Sequence, residues 1–88
     1  MPQYKVEIAE SAIKQLRRID KPHLARIRAA IDQLATDPRP NGCKLLKDKP
    51  GCWRIRVGDY RIIYTIEDDR LVVTVIKVGS RGDVYDRL

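Results

Sequence analysis

Eighty-eight residues suffice for one small domain, which buries only about 60–65% of its unfolded surface, and they exclude a second. No apolar run reaches membrane-spanning length, and the opening MPQYKVEIAE lacks the basic start and long apolar stretch of a signal peptide, so the chain reads as cytoplasmic. Its 18 Lys+Arg against 12 Asp+Glu leave a net charge of +6, which points to a polyanionic partner, because basic surfaces gain affinity for nucleic acid by releasing counterions.

Tyr4, Val6 and Ile8 alternate with Lys5 and Glu7, the pattern of a half-buried first strand. Ser11 can cap a helix on which Ala12, Ile13, Leu16 and Ile19 recur at helical spacing, ending near Asp20. Pro22 starts a second helix, lined by Leu24, Ile27, Ile31, Leu34 and Ala35 until TDPRP stops it. The short link makes the two a helical hairpin. NGCKLLKDKPG follows as a loop with Lys44, Lys47 and Lys49 around Leu45-Leu46, a pair expected to tuck under the sheet. Three strands are then predicted at about 52–57, 60–66 and 71–78, with EDDR turning the second pair. The last of them, LVVTVIKV, is apolar on both faces until Lys77, so it is expected to be the more buried, central strand.

The stretch CWRIRVGDYRIIYTI fixes a register. With Gly58-Asp59 as a two-residue loop, Gly first as a type II′ turn prefers, Val57 pairs with Tyr60, Arg56 with Arg61, Ile55 with Ile62 and Arg54 with Ile63. Arg54, Arg56 and Arg61 then share one face, on which directly opposed like charges are destabilising unless solvent or an anion absorbs the repulsion. Trp53 and Tyr64 become cross-strand core partners on the other face, which the helices cover. The arginine face is expected to be left open, as a shallow groove for a phosphate backbone or as a solvated strand face. A base-stacking role for Tyr60, beside the turn, is the less favoured reading.

Residues 1–52 hold 11 basic and 6 acidic groups and residues 53–88 hold 7 and 6, so the back half has arginines at selected positions rather than a surplus. Cys43 and Cys52 are the only cysteines. With one distant histidine, His23, their spacing fits no zinc pattern. Free thiols are favoured under cytosolic redox conditions, with a disulfide closing the 43–52 loop as the alternative. His23 is expected on a helix surface, and Glu67-Asp68-Asp69 as a solvated turn tip, so no metal or other cofactor is expected.

The tail VGSRGDVYDRL places Gly79 and Gly82 around Arg81 and Tyr85 four residues on, so that it can turn back across the sheet edge. Taken with WRIRVGDYRIIYTI, the segment VIKVGSRGDVY makes the chain resemble the RelE toxin family of the RelE/ParE toxin–antitoxin superfamily, over nearly its full length. The resemblance implies an α+β fold: an N-terminal strand and helical hairpin packed on a mainly antiparallel four-stranded sheet, in the order β-α-α-β-β-β with a short C-terminal tail, as one domain over residues 1–88. Arg54 and Arg56 match the family's alternating basic pair before the hairpin turn, Arg61 its arginine just after that turn, Arg81 the basic residue after the last strand, and Tyr85 the tyrosine implicated in catalysis. Ser80 and Gly82 stand where relatives are often basic, which leaves this tail less charged.

The implied activity is ribosome-dependent cleavage of mRNA in the A site, without a metal. Internal transfer needs the 2′-OH deprotonated, the charge of the pentacoordinate phosphate neutralised and the 5′-oxygen protonated. A single histidine cannot supply the histidine pair of familiar ribonucleases. The arginines can stabilise charge and depress the pKa of Tyr85, which makes Tyr85 the candidate base. Arg81 would face the scissile phosphate, Arg61 the same phosphate or its neighbour, and Arg54 and Arg56 the backbone, alongside Lys44, Lys47 and Lys49 in RNA binding. An arginine, with a pKa above ~12, is a poor proton donor, so the general acid stays unassigned. The implied partners are a cognate RelB-like antitoxin, the ribosome and mRNA, with no membrane; the antitoxin's expected docking surfaces are the helical hairpin and the sheet edge near the tail. The alternatives are a ParE-like, non-enzymatic inhibitor of DNA gyrase, and a weakened toxin acting mainly as an antitoxin-bound regulator.

Overall fold

The computed structural model describes residues 3–80. Five strands and two helices follow in the order β1 (Lys5–Ile8), α1 (Glu10–Leu16), α2 (Lys21–Gln33), β2 (Lys44–Leu45), β3 (Cys52–Val57), β4 (Tyr60–Glu67) and β5 (Val72–Ser80). They form one mixed sheet, ordered β1-β5-β4-β3-β2, in which β1 runs parallel to β5 and every other pair is antiparallel. The α+β class, the helical hairpin and the mainly antiparallel sheet are as the sequence implied.

The strand count is not. A fifth strand comes from the basic loop, where Lys44 pairs with Arg54 and Leu45 with Trp53. Pairing there satisfies backbone groups on the outer edge of β3 that would otherwise have only water. The same pairing corrects the expected placement of the leucines: Leu45 stands 55% exposed on the sheet edge instead of tucking beneath it. β5 is interior, as expected for its composition, but the middle position belongs to β4.

Ala12 on α1, Ile27 and Ile31 along α2 and Leu34 at its C-cap pack on Ile55, Ile62, Tyr64, Val73, Val75 and Val78 to form the core. The spacing of four and then three on α2 is what holds one helical face against the sheet. α1 is shorter than its periodicity predicted. Its N-cap is Ala9, with no side-chain cap, and Ser11 instead donates to the Ile76 carbonyl at 3.0 Å. Pro22 occupies the first turn of α2, where its missing N–H costs nothing.

The β3–β4 hairpin has the register that the sequence predicts, from Val57 opposite Tyr60 to Trp53 opposite Tyr64. Gly58 has φ +60° while Asp59 is not among the residues of positive φ, the combination a type II′ turn requires. The β4–β5 turn ends on Leu71 at φ 54°, so β5 begins one residue later than its apolar run suggested. Cys43 and Cys52 are free thiols. Among the described residues no helix is long and apolar enough to cross a membrane.

Candidate nucleic-acid interface

Alternation along β3 and β4 gives the sheet two different faces. Trp53, Ile55, Ile62 and Tyr64 belong to the helix-covered side, and Arg54, Arg56, Arg61 and Ile63 to the other. Register then arranges the basic side chains in transverse rows. One row runs Lys44, Arg54, Ile63, Lys77 across β2, β3, β4 and β5. The next, nearer the 58–59 turn, runs Arg56, Arg61, Gly79. With strands about 4.8 Å apart, the first row spans about 14 Å between backbones, and the rows lie about 7 Å apart. Cations at that spacing suit successive phosphates of an extended strand.

This face is less open than the sequence led one to expect. Arg54 is 7%, Arg61 5% and Lys77 8% exposed, and Ile63 is fully buried beside them, whereas Arg56 is exposed. Arginine stems tolerate such burial because their apolar carbons can pack while the guanidinium stays wet. No fully buried side-chain nitrogen or oxygen among the described residues lacks a hydrogen-bond partner. Arg61 donates from Nη1 to the Tyr60 carbonyl at 3.3 Å. Neither Arg54, Arg56 nor Arg61 makes an ion pair among the described residues.

Lys44, Lys47, Lys49 and Arg54 line one shallow cleft of about 300 Å³, together with Leu45, Leu46 and Asp48. The predicted lysines and the first arginine are therefore brought together. Arg56 opens instead on a neighbouring cleft of about 290 Å³ at the free part of the β3 edge, with Gln33, Asn41 and Ile55. Lys77, opposite Ile63, also belongs to the basic face. A lone lysine in an otherwise apolar strand is the only hint of it in the sequence. Arg81 and Tyr85 lie outside the described residues.

Other expectations are refined. His23 is on the exposed surface of α2, as expected, and its ring lies 5.6 Å from that of Tyr60. Tyr64 is fully buried and its hydroxyl donates to the Pro38 carbonyl at 2.7 Å; burial pushes its pKa well above the ordinary phenol value. The Glu67-Asp68-Asp69 turn is more than a solvated tip. Asp68 accepts from Tyr4 at 2.6 Å and from both terminal nitrogens of Arg39 at 3.2 and 2.8 Å, and Arg39 lies 5.1 Å over the Trp53 ring. Those bonds, from Arg39 first and Tyr4 second, lower the Asp68 pKa from 3.8 to about 2. The network lies at the end of the sheet away from the 58–59 turn and ties the residue before β1, the segment between α2 and β2, Trp53 of β3 and the β4–β5 turn together. No group of three or more His, Cys, Asp and Glu placed to hold a metal occurs among the described residues.

Comparison with known proteins matches this arrangement to one family. Residues 6–85 match the family model described as ParE toxin of type II toxin-antitoxin system, parDE. Toxin RelG of Mycobacterium tuberculosis is 29% identical over 85 residues, covering 96% of this chain and 98% of its own. The mRNA interferase toxin RelE of Escherichia coli K12 is 29% identical over 86 residues, covering 93% and 90%. Among solved structures, the archaeal RelE of the RelE–RelB complex from Pyrococcus horikoshii superposes with a TM-score of 0.81 at 29% identity, covering 93% of this chain and 99% of that one. A sheet of this order, a hairpin of this register and a full-length match to such relatives lead to one conclusion: the chain belongs to the RelE/ParE family of type II toxin–antitoxin toxins, as a RelE-type member.

Proposed function

We propose that the protein is an mRNA interferase that cleaves message in the ribosomal A site by attack of the 2′-OH on its own phosphodiester. The observation that carries the reading is the pair of cationic rows on one sheet face, Lys44–Arg54–Lys77 and Arg56–Arg61, beside the lysine cleft. Relatives named mRNA interferase support it. In this mechanism the rows hold the backbone through phosphates, and Arg61 stabilises the charge that builds on the pentacoordinate phosphate, an interaction stronger in the transition state than in the ground state. Arg81 shares that role, and Tyr85 removes the 2′-OH proton. None of these steps routes through a metal.

The antitoxin partner belongs to the same proposal. Solved relatives include RelE–RelB complexes, and here an apolar groove of about 360 Å³ lies between α1, α2 and β1, lined by Val6, Ile8, Ile13, Leu16, Leu24 and Ile31 and rimmed by Arg17, Arg28 and Asp32. Ile8 and Ile13 are exposed there. A helical antitoxin segment laid along that groove would cover them.

The second reading is a gyrase inhibitor that acts by binding, favoured by the match to the ParE family model. Inducing the protein and performing primer extension on a translated mRNA, with DNA topology followed in parallel, separates the two. Cuts within codons, and only on translated message, are expected. Intact mRNA with trapped gyrase would replace the proposal by the second reading.

A further inference from the structure

β5 does not alternate evenly. Val73 and Val75 lie in the helix-side core, and so does Val78, three residues on rather than two. The ladder explains the step: Ile63 pairs with Lys77 but Tyr64 pairs with Val75, which leaves Ile76 as an extra residue at a β-bulge. A bulge reverses the phase of all later side chains. A ladder continued without a break from Tyr64–Val75 would put Ile76 opposite Ile63, carry Lys77 into the helix-side core opposite Ile62 and turn Val78 onto the basic face opposite Arg61.

β1 pairs with β5 only as far as Val75, and beyond it, at the bulge, α1 supplies partners on that side of β5 while Val78 keeps its place opposite Ile62. The Ser11 hydroxyl donates to the Ile76 carbonyl at 3.0 Å, and the Val78 N–H donates to Gln15 Oε1 at 2.7 Å. Ser11 and Gln15 are four residues apart and so share one face of the helix. The helix is anchored at the same place by the Ala9 N–H, which donates to the Val75 carbonyl at 2.8 Å. An N–H left unmet in that part-buried position would be costly, so the acceptor on Gln15 favours the bulged register over the unbroken one.

We infer that Gln15, assisted by Ser11, is a positioning residue for the basic face: by holding the Ile76 bulge from behind the sheet it turns Lys77 toward Arg54 and Arg61. Neither side chain touches that face. The consequence for activity rests on the RNA-cleaving reading, whereas the consequence for register does not.

The test compares Gln15→Leu, which keeps the volume but loses the acceptor, with Gln15→Glu, which keeps an acceptor oxygen. NMR reads the register through the cross-strand contacts Ile63–Lys77 and Tyr64–Val75, and hydrogen exchange reads the Val78 amide. In Gln15→Leu the Ile63–Lys77 contact should weaken while Tyr64–Val75 persists, and Val78 should exchange about tenfold faster, the equivalent of one hydrogen bond. Cleavage on programmed ribosomes should fall about tenfold in kcat/KM through KM, and Gln15→Glu should restore both readouts. Wild-type contacts and protection in Gln15→Leu would overturn the inference, as would a shifted register with unchanged cleavage. Should Gln15→Leu not fold, Ser11→Ala, which removes only the Ile76 bond, should still speed exchange around the bulge, and unchanged exchange would count against the device. A wild-type protein that leaves translated mRNA intact removes the nuclease reading, and the register data then decide the inference alone.

Discussion

Arg56 stands directly opposite Arg61 across the β3–β4 ladder, and neither makes an ion pair among the described residues. Directly opposed like charges oppose pairing by a few tenths to about 1 kcal/mol. The fold therefore holds two cations together at a small cost, which a bound phosphate would offset.

The two arginines should respond differently to substitution. Arg56→Ala removes an exposed charge, so stability should be unchanged or rise by up to about 1 kcal/mol. Arg61 is buried, and Arg61→Met, which keeps the stem and removes the charge, is the matching variant. Each should reduce ribosomal cleavage, Arg61→Met by roughly 10²-fold, the scale of one lost charge-stabilising donor. Full activity in Arg61→Met, measured at wild-type thermal stability, would remove Arg61 from the site.

Binding to RNA or to ribosomes should weaken steeply with salt. Several Lys and Arg contacts to phosphate each release counterions, so the logarithm of affinity should fall linearly with the logarithm of salt concentration. Arg56→Ala should lower that slope by about 1, as should Lys47→Ala in the adjoining cleft. A flat titration would leave the cationic rows without a polyanion to bind.

Tyr85→Phe removes one oxygen and keeps the ring. As the proposed base, Tyr85 should lose about 10²–10⁴-fold in single-turnover cleavage by this change, with ribosome binding nearly constant. Arg81→Ala should slow the same step, and the double variant should lose less than the product of the singles, because both residues serve one transition state. Cleavage by Tyr85→Phe at the wild-type rate would show that the hydroxyl takes no part.

Gly58→Ala should destabilise the hairpin by about 1–2 kcal/mol, since φ +60° places a Cβ against the following carbonyl. Chemical denaturation measures this directly. The variant should also cleave less at a given temperature, because the turn sets Arg56 against Arg61.

The Asp68 carboxyl has a pKa of about 2 in the fold against its ordinary 3.8. A depressed acid pKa contributes stability that is complete above the unfolded value and lost as pH falls through the folded one. The thermal midpoint should therefore drop between about pH 4 and about pH 2. Asp68→Asn should flatten that drop and lower the midpoint at neutral pH, through the lost Arg39 and Tyr4 bonds.

Local rules were enough for the features that a few consecutive residues control. Gly58 demands its turn, period-two alternation carries Trp53, Ile55, Ile62 and Tyr64 to one face, and the turn sets which residue meets which, so Arg56 opposite Arg61 follows from the sequence alone. Placement of Lys44 and Leu45 was not, because a two-residue strand has too little pattern to announce itself and exists only where β3 offers an unpaired edge. Burial of Arg54 and Arg61 was equally hidden, since it depends on how side chains from neighbouring strands crowd around Ile63. The phase of Lys77 is the clearest case. LVVTVIKV is apolar at almost every position, so hydrophobicity cannot distinguish its two registers. The choice falls to Ser11 and Gln15, more than sixty residues earlier in the chain, whose hydrogen bonds to the bulge exist only once α1 is docked on the sheet.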